Sequence, residues 1–276
     1  MAAPPQLLRA GRRVGAPFAQ LWDQFRFYGE ALGGMVRAFK YGGVILRLTT
    51  DVAVGAGALV IGGGMFFVIG SLSFFTGTAV GLEGYVALDQ IGAQAYTGLI
   101  GAFANAREIT PLIAGVALSA QIGAGFTAEL GAMRISEEID ALDVMSVPSL
   151  VYLVSTRIWA ALILAIPLYL LALFASFEAS RLMATQYYDV SVGAYDHYFN
   201  LFLPPIDILY SLTKAVVFVV AVVLIHCYYG FYASGGPVGV GVAVGRAIRS
   251  SLVVVVLLNL LMSVMFYGAG DTVRIS

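Results

Sequence analysis

Five long stretches of this chain are apolar and nearly free of charge, and polar segments separate them. They fall at about 52–78, 98–128, 150–177, 207–232 and 250–270. A helix needs roughly 20 apolar residues to cross the hydrocarbon core of a bilayer, so the pattern predicts five transmembrane helices. Ahead of them, Phe18, Leu21, Trp22, Phe25, Phe27 and Tyr28 intermix with Arg26 and Glu30. That mixture predicts an amphipathic helix in the membrane interface, its aromatics sunk and its cations toward headgroups. The expected class is an all-α polytopic membrane protein. It divides into an N-terminal segment, residues 1–47, and a five-span domain, residues 48–272.

Between the second and third stretches lies a charged island, E-L-G-A-M-R-I-S-E-E-I-D-A-L-D-V-M-S-V-P, from Glu129 to Pro148. Glu129, Arg134, Glu137, Glu138, Asp140 and Asp143 keep it out of hydrocarbon. Ile135, Ile139 and Leu142 recur at spacings of four and three, which predicts a helix over about 129–147 with one apolar face. A short amphipathic helix between two spans lies on the bilayer surface or docks into a partner protein.

The stretches themselves carry a few polar groups. Arg107 and Glu108 sit inside the second, just before Pro111. Charge at that depth is costly and by default marks a functional site or a water-filled cavity, the alternative being a lock between helices. Neighbouring helical residues point about 100° apart, so the two cannot pair face to face, and Pro111 predicts a bend. Gly55, Gly57, Gly62, Gly63, Gly64 and Gly70 enrich the first stretch, which predicts close helix packing, within the chain or with a second subunit. Arg157, at the edge of the uncharged run 158–177 within the third, is expected to snorkel to headgroups. His226 reads as a hydrogen-bonded interior histidine, and with only Cys227 beside it makes no metal site. Ser234 to Gly241 (S-G-G-P-V-G-V-G) follows a membrane helix rather than a strand, so a tight turn is expected instead of a phosphate loop. Arg246 and Arg249 are expected to close that loop.

Composition narrows the picture. Hydrophobic residues make up 60% of the chain and charged ones 11%, against about 25% charged in soluble domains. The net charge of −1 gives no basic field for nucleic acid. Cys227, the only cysteine, excludes an intramolecular disulfide. Met1 to Phe18 has no apolar core of a cleavable signal. Seven of the 15 Lys and Arg lie in residues 1–47, which places the N-terminus in the cytoplasm by the positive-inside rule. Five spans then put the C-terminus outside, with Arg181 and Arg274 the only cations there, and put the island in the cytoplasm.

No catalytic set is legible: with one cysteine and two histidines there is no nucleophile constellation. A P-loop is also missing, since it needs Gly-Lys before Ser or Thr, whereas Lys40 follows Phe39 and Lys214 follows Thr213. The chain reads as a non-catalytic membrane subunit without cofactor or metal, and ATP, if it is the fuel, must be bound by another chain. The alternative is a proton-coupled secondary transporter with Glu108, Lys214 and His226 as relay groups. Those residues are scattered over separate stretches, and five spans give no inverted repeat.

The island resembles the signature of the MlaE/YrbE permeases, membrane subunits of lipid-transporting ABC systems. The resemblance extends to Arg107-Glu108-x-x-Pro111, to Gly123-x-Gly125, and to S-G-G-P-V-G-V-G-V-A-V-G-R in the last polar segment. It covers roughly residues 20–270. Together with G-A-Y-D-H-Y-F-N at 193–200 it points more narrowly to the YrbE permeases of actinobacterial Mce systems, and among them to the B-type member.

The resemblance implies a coupling helix, Arg134 to Val147, that presses into a groove on a cytoplasmic ATPase dimer carrying ATP and magnesium. Glu129, Gly131 and Met133 lead into it. Arg134, Ile135, Glu137, Glu138, Ile139, Asp140, Ala141, Leu142 and Met145 belong to it, and the stripe Ile135, Ile139, Leu142 is expected to fill the groove. The resemblance also implies a second, paralogous permease, a hexamer of Mce proteins on the external face, and a lipid substrate. The cavity for that lipid would have Arg107 and Glu108 as its polar lining. The system would sit in a bacterial inner membrane and work as an importer of fatty acids, sterols or phospholipids.

Overall fold

A computed structural model describes residues 21–54 and 64–268. Among them the chain is helical, with no strand. Residues 21–33 form α1. A short turn of helix at Met35–Ala38 and a 3₁₀ turn at Phe39–Tyr41 lead into α2, Gly42–Val54. Then come α3 (Gly64–Asp89), α4 (Gln94–Ile135), α5 (Glu138–Val144), α6 (Val151–Tyr187), α7 (Val192–Phe202), α8 (Pro205–Phe231) and α9 (Gly236–Tyr267). Five of these, α3, α4, α6, α8 and α9, are long and apolar enough to cross a membrane. The all-α, five-span class expected from the pattern is what the chain adopts.

The spans run further than the uncharged stretches. Helix α4 has 42 residues, about 63 Å at 1.5 Å per residue and twice the thickness of the hydrocarbon core. The third span starts at Val151 and passes through Arg157. That arginine does not reach outward: its side chain is 3% exposed and pairs with Glu129 at 2.9 Å. The expected snorkelling is therefore wrong, because a counter-charge inside the protein replaces the headgroups. The fifth span starts at Gly236, so the segment from 236 to 249 is helix rather than loop, and Arg246 and Arg249 lie on it. Only the turn at Ser234 to Gly236 survives of the expected loop, with φ of 91° at Gly235 and 69° at Gly236.

The first span is also displaced. It runs over Gly64–Asp89 and contains Glu83, while Val52 belongs to the separate helix α2. Gly55, Gly57, Gly62 and Gly63 lie outside the described residues, as do residues 1–20 and 269–276. Close packing in α3 comes instead from Gly77 and Gly81, four apart, which face Ser176 and Ser180, four apart on α6. A Cβ on Gly77 would stand 2.3 Å from the Ser176 carbonyl oxygen, and one on Gly81 2.8 Å from that of Ser180. Small residues at this spacing let two membrane helices approach backbone to backbone.

Helix α6 lies at the centre of the bundle. Its Leu153, Val154, Ile158, Ala161 and Leu164 share a core with Leu118, Ile122, Phe126 and Leu130 of α4 and with Val219 and Val223 of α8. Phe27 of α1 enters the same core, its ring 5.5 Å from Tyr228 and 5.6 Å from Phe231. So α1 is not wholly sunk in lipid by its aromatics: Phe27 docks on the bundle, while Trp22 and Phe25 stay exposed. Helices α3 and α9 bury a smaller share of their residues within the chain than the other spans do.

The α3–α6 crossing has a direct test. Gly77→Ala should destabilise the protein by about 1–3 kcal/mol, because a methyl group must displace backbone. Gly70→Ala should be neutral or better, since its Cβ would meet only Leu171 at 3.7 Å. Thermal unfolding in detergent compares the two, and equal midpoints would dissolve the argument.

Candidate functional site

Two arrangements of polar residues stand out, one inside the bundle and one at the end of α4. The inner one begins with Pro111, which has no N–H to donate to the carbonyl of Arg107 four residues earlier. The helix widens there into a π turn, Asn105–Ile109, and Lys214 Nζ of α8 donates to the freed Arg107 carbonyl at 2.5 Å. Ser211 Oγ donates to the Ala106 carbonyl beside it. The expected bend is thus realised as a π turn whose loose backbone acceptors are met by a neighbouring helix.

That turn sends Arg107 and Glu108 to different partners, as their 100° separation requires. Arg107 donates through Nε to Asp207 Oδ2 at 2.7 Å, Nη2 lies 2.7 Å from the same oxygen, and the pair is buried. The guanidinium carbon lies 3.9 Å from the centroid of Phe103 and 4.5 Å from that of Tyr267. Glu108 accepts from Asn259 Nδ2 at 2.7 Å and Ser263 Oγ at 2.5 Å, with Lys214 Nζ 3.5 Å away. Two cations and two carboxylates make a neutral set. Its members differ in access: the Arg107 side chain is 4% exposed and Lys214 is fully buried, whereas Glu108 is 43% exposed. Tyr267 Oη and Asn259 Oδ1 are buried without a hydrogen-bond partner among the described residues.

Sequence reasoning singled out Arg107, Glu108 and Lys214 but missed Asp207, Ser211, Asn259 and Ser263. Asp207 follows Pro204-Pro205 and lies in the first turn of α8. His226 does not join the set. Its ring bonds Thr127 at 2.8 Å and Ser119 and Ser251 at 3.2 Å, twelve residues and about 18 Å further along α8 than Lys214. The interior, hydrogen-bonded histidine is as expected, but the three relay groups are not assembled.

The second arrangement is the island, which is not one helix. Helix α4 carries Glu129, Gly131, Met133, Arg134 and Ile135 as its last turns, and the chain then breaks at Glu137, whose φ is 60°. Helix α5 holds only Glu138 to Val144. It ends in a Schellman motif: Ser146 takes φ 58° and donates to Asp143 O at 3.0 Å, and Val147 N–H donates to Leu142 O at 3.0 Å. Pro148 then stops any continuation.

Ion pairs fix the joint. Arg134 reaches across the break to Asp140 at 2.6 Å, and Glu129 binds Arg157 on α6. Gly131 is small because a Cβ there would stand 2.9 Å from Val240 of α9.

Two side chains of the supposed docking stripe face inward. Ile139 is 0% exposed in the main core and Leu142 packs against that core. Only Ile135 of the three is open. The outward surface is formed by Glu137, Glu138, Asp140, Ala141 and Asp143 with Val144 and Met145, the last two 84% and 64% exposed. The helical spacing was real, but a helix that short buries its stripe against its own protein.

Comparison with known proteins gives one consistent answer. Residues 54–265 match the family described as Permease MlaE. A probable ABC transporter permease protein of Rickettsia conorii is 29% identical over 93% of this chain and 96% of its own length. The intermembrane phospholipid transport system permease protein MlaE of Haemophilus influenzae is 28% identical over 71% of this chain and 76% of its own. The chloroplastic protein TRIGALACTOSYLDIACYLGLYCEROL 1 of Arabidopsis thaliana is 30% identical over 73% of this chain and 58% of its own.

Removing Asp207 would leave the Arg107 charge buried and unpaired. Asp207→Ala should therefore cost about 3–5 kcal/mol, and adding Arg107→Met should recover much of it. Denaturant titration of the three variants gives the coupling. A double variant no more stable than Asp207→Ala would contradict the pairing.

Proposed function

The chain belongs to the MlaE permease family, and from that premise we propose that it is the membrane subunit of an ATP-driven lipid transporter, worked through its island by a separate ATPase. The observation that carries this reading is the island's geometry. A short helix, pinned by Arg134–Asp140 and through Glu129–Arg157 to two spans, presents acids and two open apolar side chains outward. A rigid element with little slack is what coupling to a moving partner needs. The cytoplasm is its side by charge. Arg26, Arg37, Lys40, Arg47, Arg134, Arg246 and Arg249 lie toward the island end of the bundle, and Arg181 toward the other.

The partner is an ABC ATPase dimer that binds ATP and magnesium itself. Its groove meets Val144 and Met145, with basic residues opposite Glu137, Glu138, Asp140 and Asp143. A second permease, paralogous to this one, covers part of α3 and α9. Mce proteins stand as a hexamer on the external face near α7, the helix built from G-A-Y-D-H-Y-F-N. Cargo is a hydrophobic lipid such as a fatty acid, sterol or phospholipid, imported across a bacterial inner membrane. Glu108, open on one side and held by Lys214, Asn259 and Ser263, faces its path. Arg107, closed on Asp207, positions the π turn that presents Glu108.

The docking surface moves from Leu142 to the end of α5. Val144→Asp and Met145→Asp should each weaken ATPase copurification about thirty-fold or more while the permease still inserts. Ile139→Asp should instead fail to fold, since it buries a charge in the core. ATPase capture and ATP-dependent transport undiminished in both exposed variants would defeat the assignment. For the lipid path, Glu108→Gln should lower crosslinking to a photoactivatable lipid without lowering the unfolding temperature. Transport that followed the proton gradient in the absence of ATP would favour the secondary-transporter reading instead.

A further inference from the structure

An open cleft of about 560 Å³ lies between the Phe39–Tyr41 turn and the chain joining α5 to α6. Arg37 and Lys40 line it, with the hydroxyl-bearing Tyr41 and Ser146 and with Val147 and Val151 as apolar wall. No carboxylate lines it, and neither cation has a carboxylate oxygen within 4.0 Å among the described residues. Both are exposed. Two free cations with two hydroxyls are the chemistry that receives a phosphate monoanion or diester.

The neighbouring surface says which phosphate. Leu32, Val36, Phe39 and Leu46 are all exposed on the segment that carries Arg37 and Lys40. Exposed apolar side chains beside a pair of cations are how a segment sits at a membrane surface with its charges among headgroups. A protein partner that meets the acidic island must itself be basic, and Arg37 and Lys40 would repel it. We propose that this cleft is a binding site for the headgroup of an anionic phospholipid, whose acyl chains lie along Val36 and Phe39.

The site has a mechanical consequence. Ser146 is the left-handed residue that closes α5, so a headgroup held by Arg37, Lys40 and Ser146 ties the interfacial segment to the island. Anionic lipid in the adjoining leaflet then stiffens the joint on which coupling depends. The binding step rests on the multi-pass membrane reading alone and needs no ATPase, so its failure is distinguishable from failure of the proposed function.

The test uses the full chain in phosphatidylcholine nanodiscs titrated with phosphatidylglycerol bearing a photoactivatable group near its headgroup. Labelled peptides are mapped by mass spectrometry. Label is expected on residues 35–41 and 146–151. The half-saturating phosphatidylglycerol fraction should rise about thirty-fold in an Arg37→Gln/Lys40→Gln double variant, two cations at the surface being removed. Arg47→Gln, on the same segment but paired with Asp51, should leave it within about two-fold. Unchanged labelling in the double variant, or label spread evenly along the interfacial segment, would overturn the site. Displacement of the label by inorganic phosphate as readily as by unlabelled phosphatidylglycerol would show a free-anion site and overturn the lipid assignment.

Discussion

A charge within an apolar bundle must bring its counter-charge with it, and this fold is arranged around that requirement. Among the described residues, three ion pairs join one membrane-length helix to another: Arg107 with Asp207, Lys214 with Glu108, and Arg157 with Glu129. Helix α4 contributes a member to every one. It is tied to α8 at the level of its first π turn and to α6 near its far end. Such pairs add little net stability, since desolvation offsets most of their attraction, yet breaking one is costly. Their effect is to fix which helices meet and in what register.

The helix fixed in this way is also the one that emerges as the island. Its two π turns fall where polar side chains from other helices enter. Lys214 meets the first. At the second, Ser119–Gly123, the ring of His226 occupies the space that a Cβ on Gly123 would need. A long helix interrupted at two polar contacts can transmit displacement along its axis while allowing local adjustment at each. In the coupling proposed above, motion imposed at α5 would cross the break at Glu137 through the Arg134–Asp140 pair and pass along α4 to Glu108.

Much of this was legible in the sequence, and the failures share a cause. Five apolar stretches announced five spans because burial in lipid demands apolar side chains over a fixed length. Their ends were misplaced where a charge inside the protein looked like a boundary, as with Glu83 and Arg246. Periodicity put Ile135, Ile139 and Leu142 on one face, but it cannot register a left-handed break at a residue such as Glu137, which is not glycine. It also cannot say whether an apolar stripe faces a partner or its own core. Gly77 and Gly81 carried a visible four-residue spacing, overshadowed by the denser glycines before Gly64. The partner of Arg107 lies 100 residues away, and no local pattern reports a contact at that distance.

Of the three pairs, Arg157–Glu129 bears most directly on whether the island drives the spans. Arg157→Met removes a buried cation and leaves a half-exposed carboxylate for water to solvate, so the fold should survive. The decisive quantity is the amount of lipid moved per ATP hydrolysed by the reconstituted complex carrying this variant. If the pair transmits the stroke, hydrolysis should continue while lipid moved per ATP falls about ten-fold or more, the loss of roughly 1.4 kcal/mol of coupling. A ratio equal to that of the unmodified complex would contradict the account.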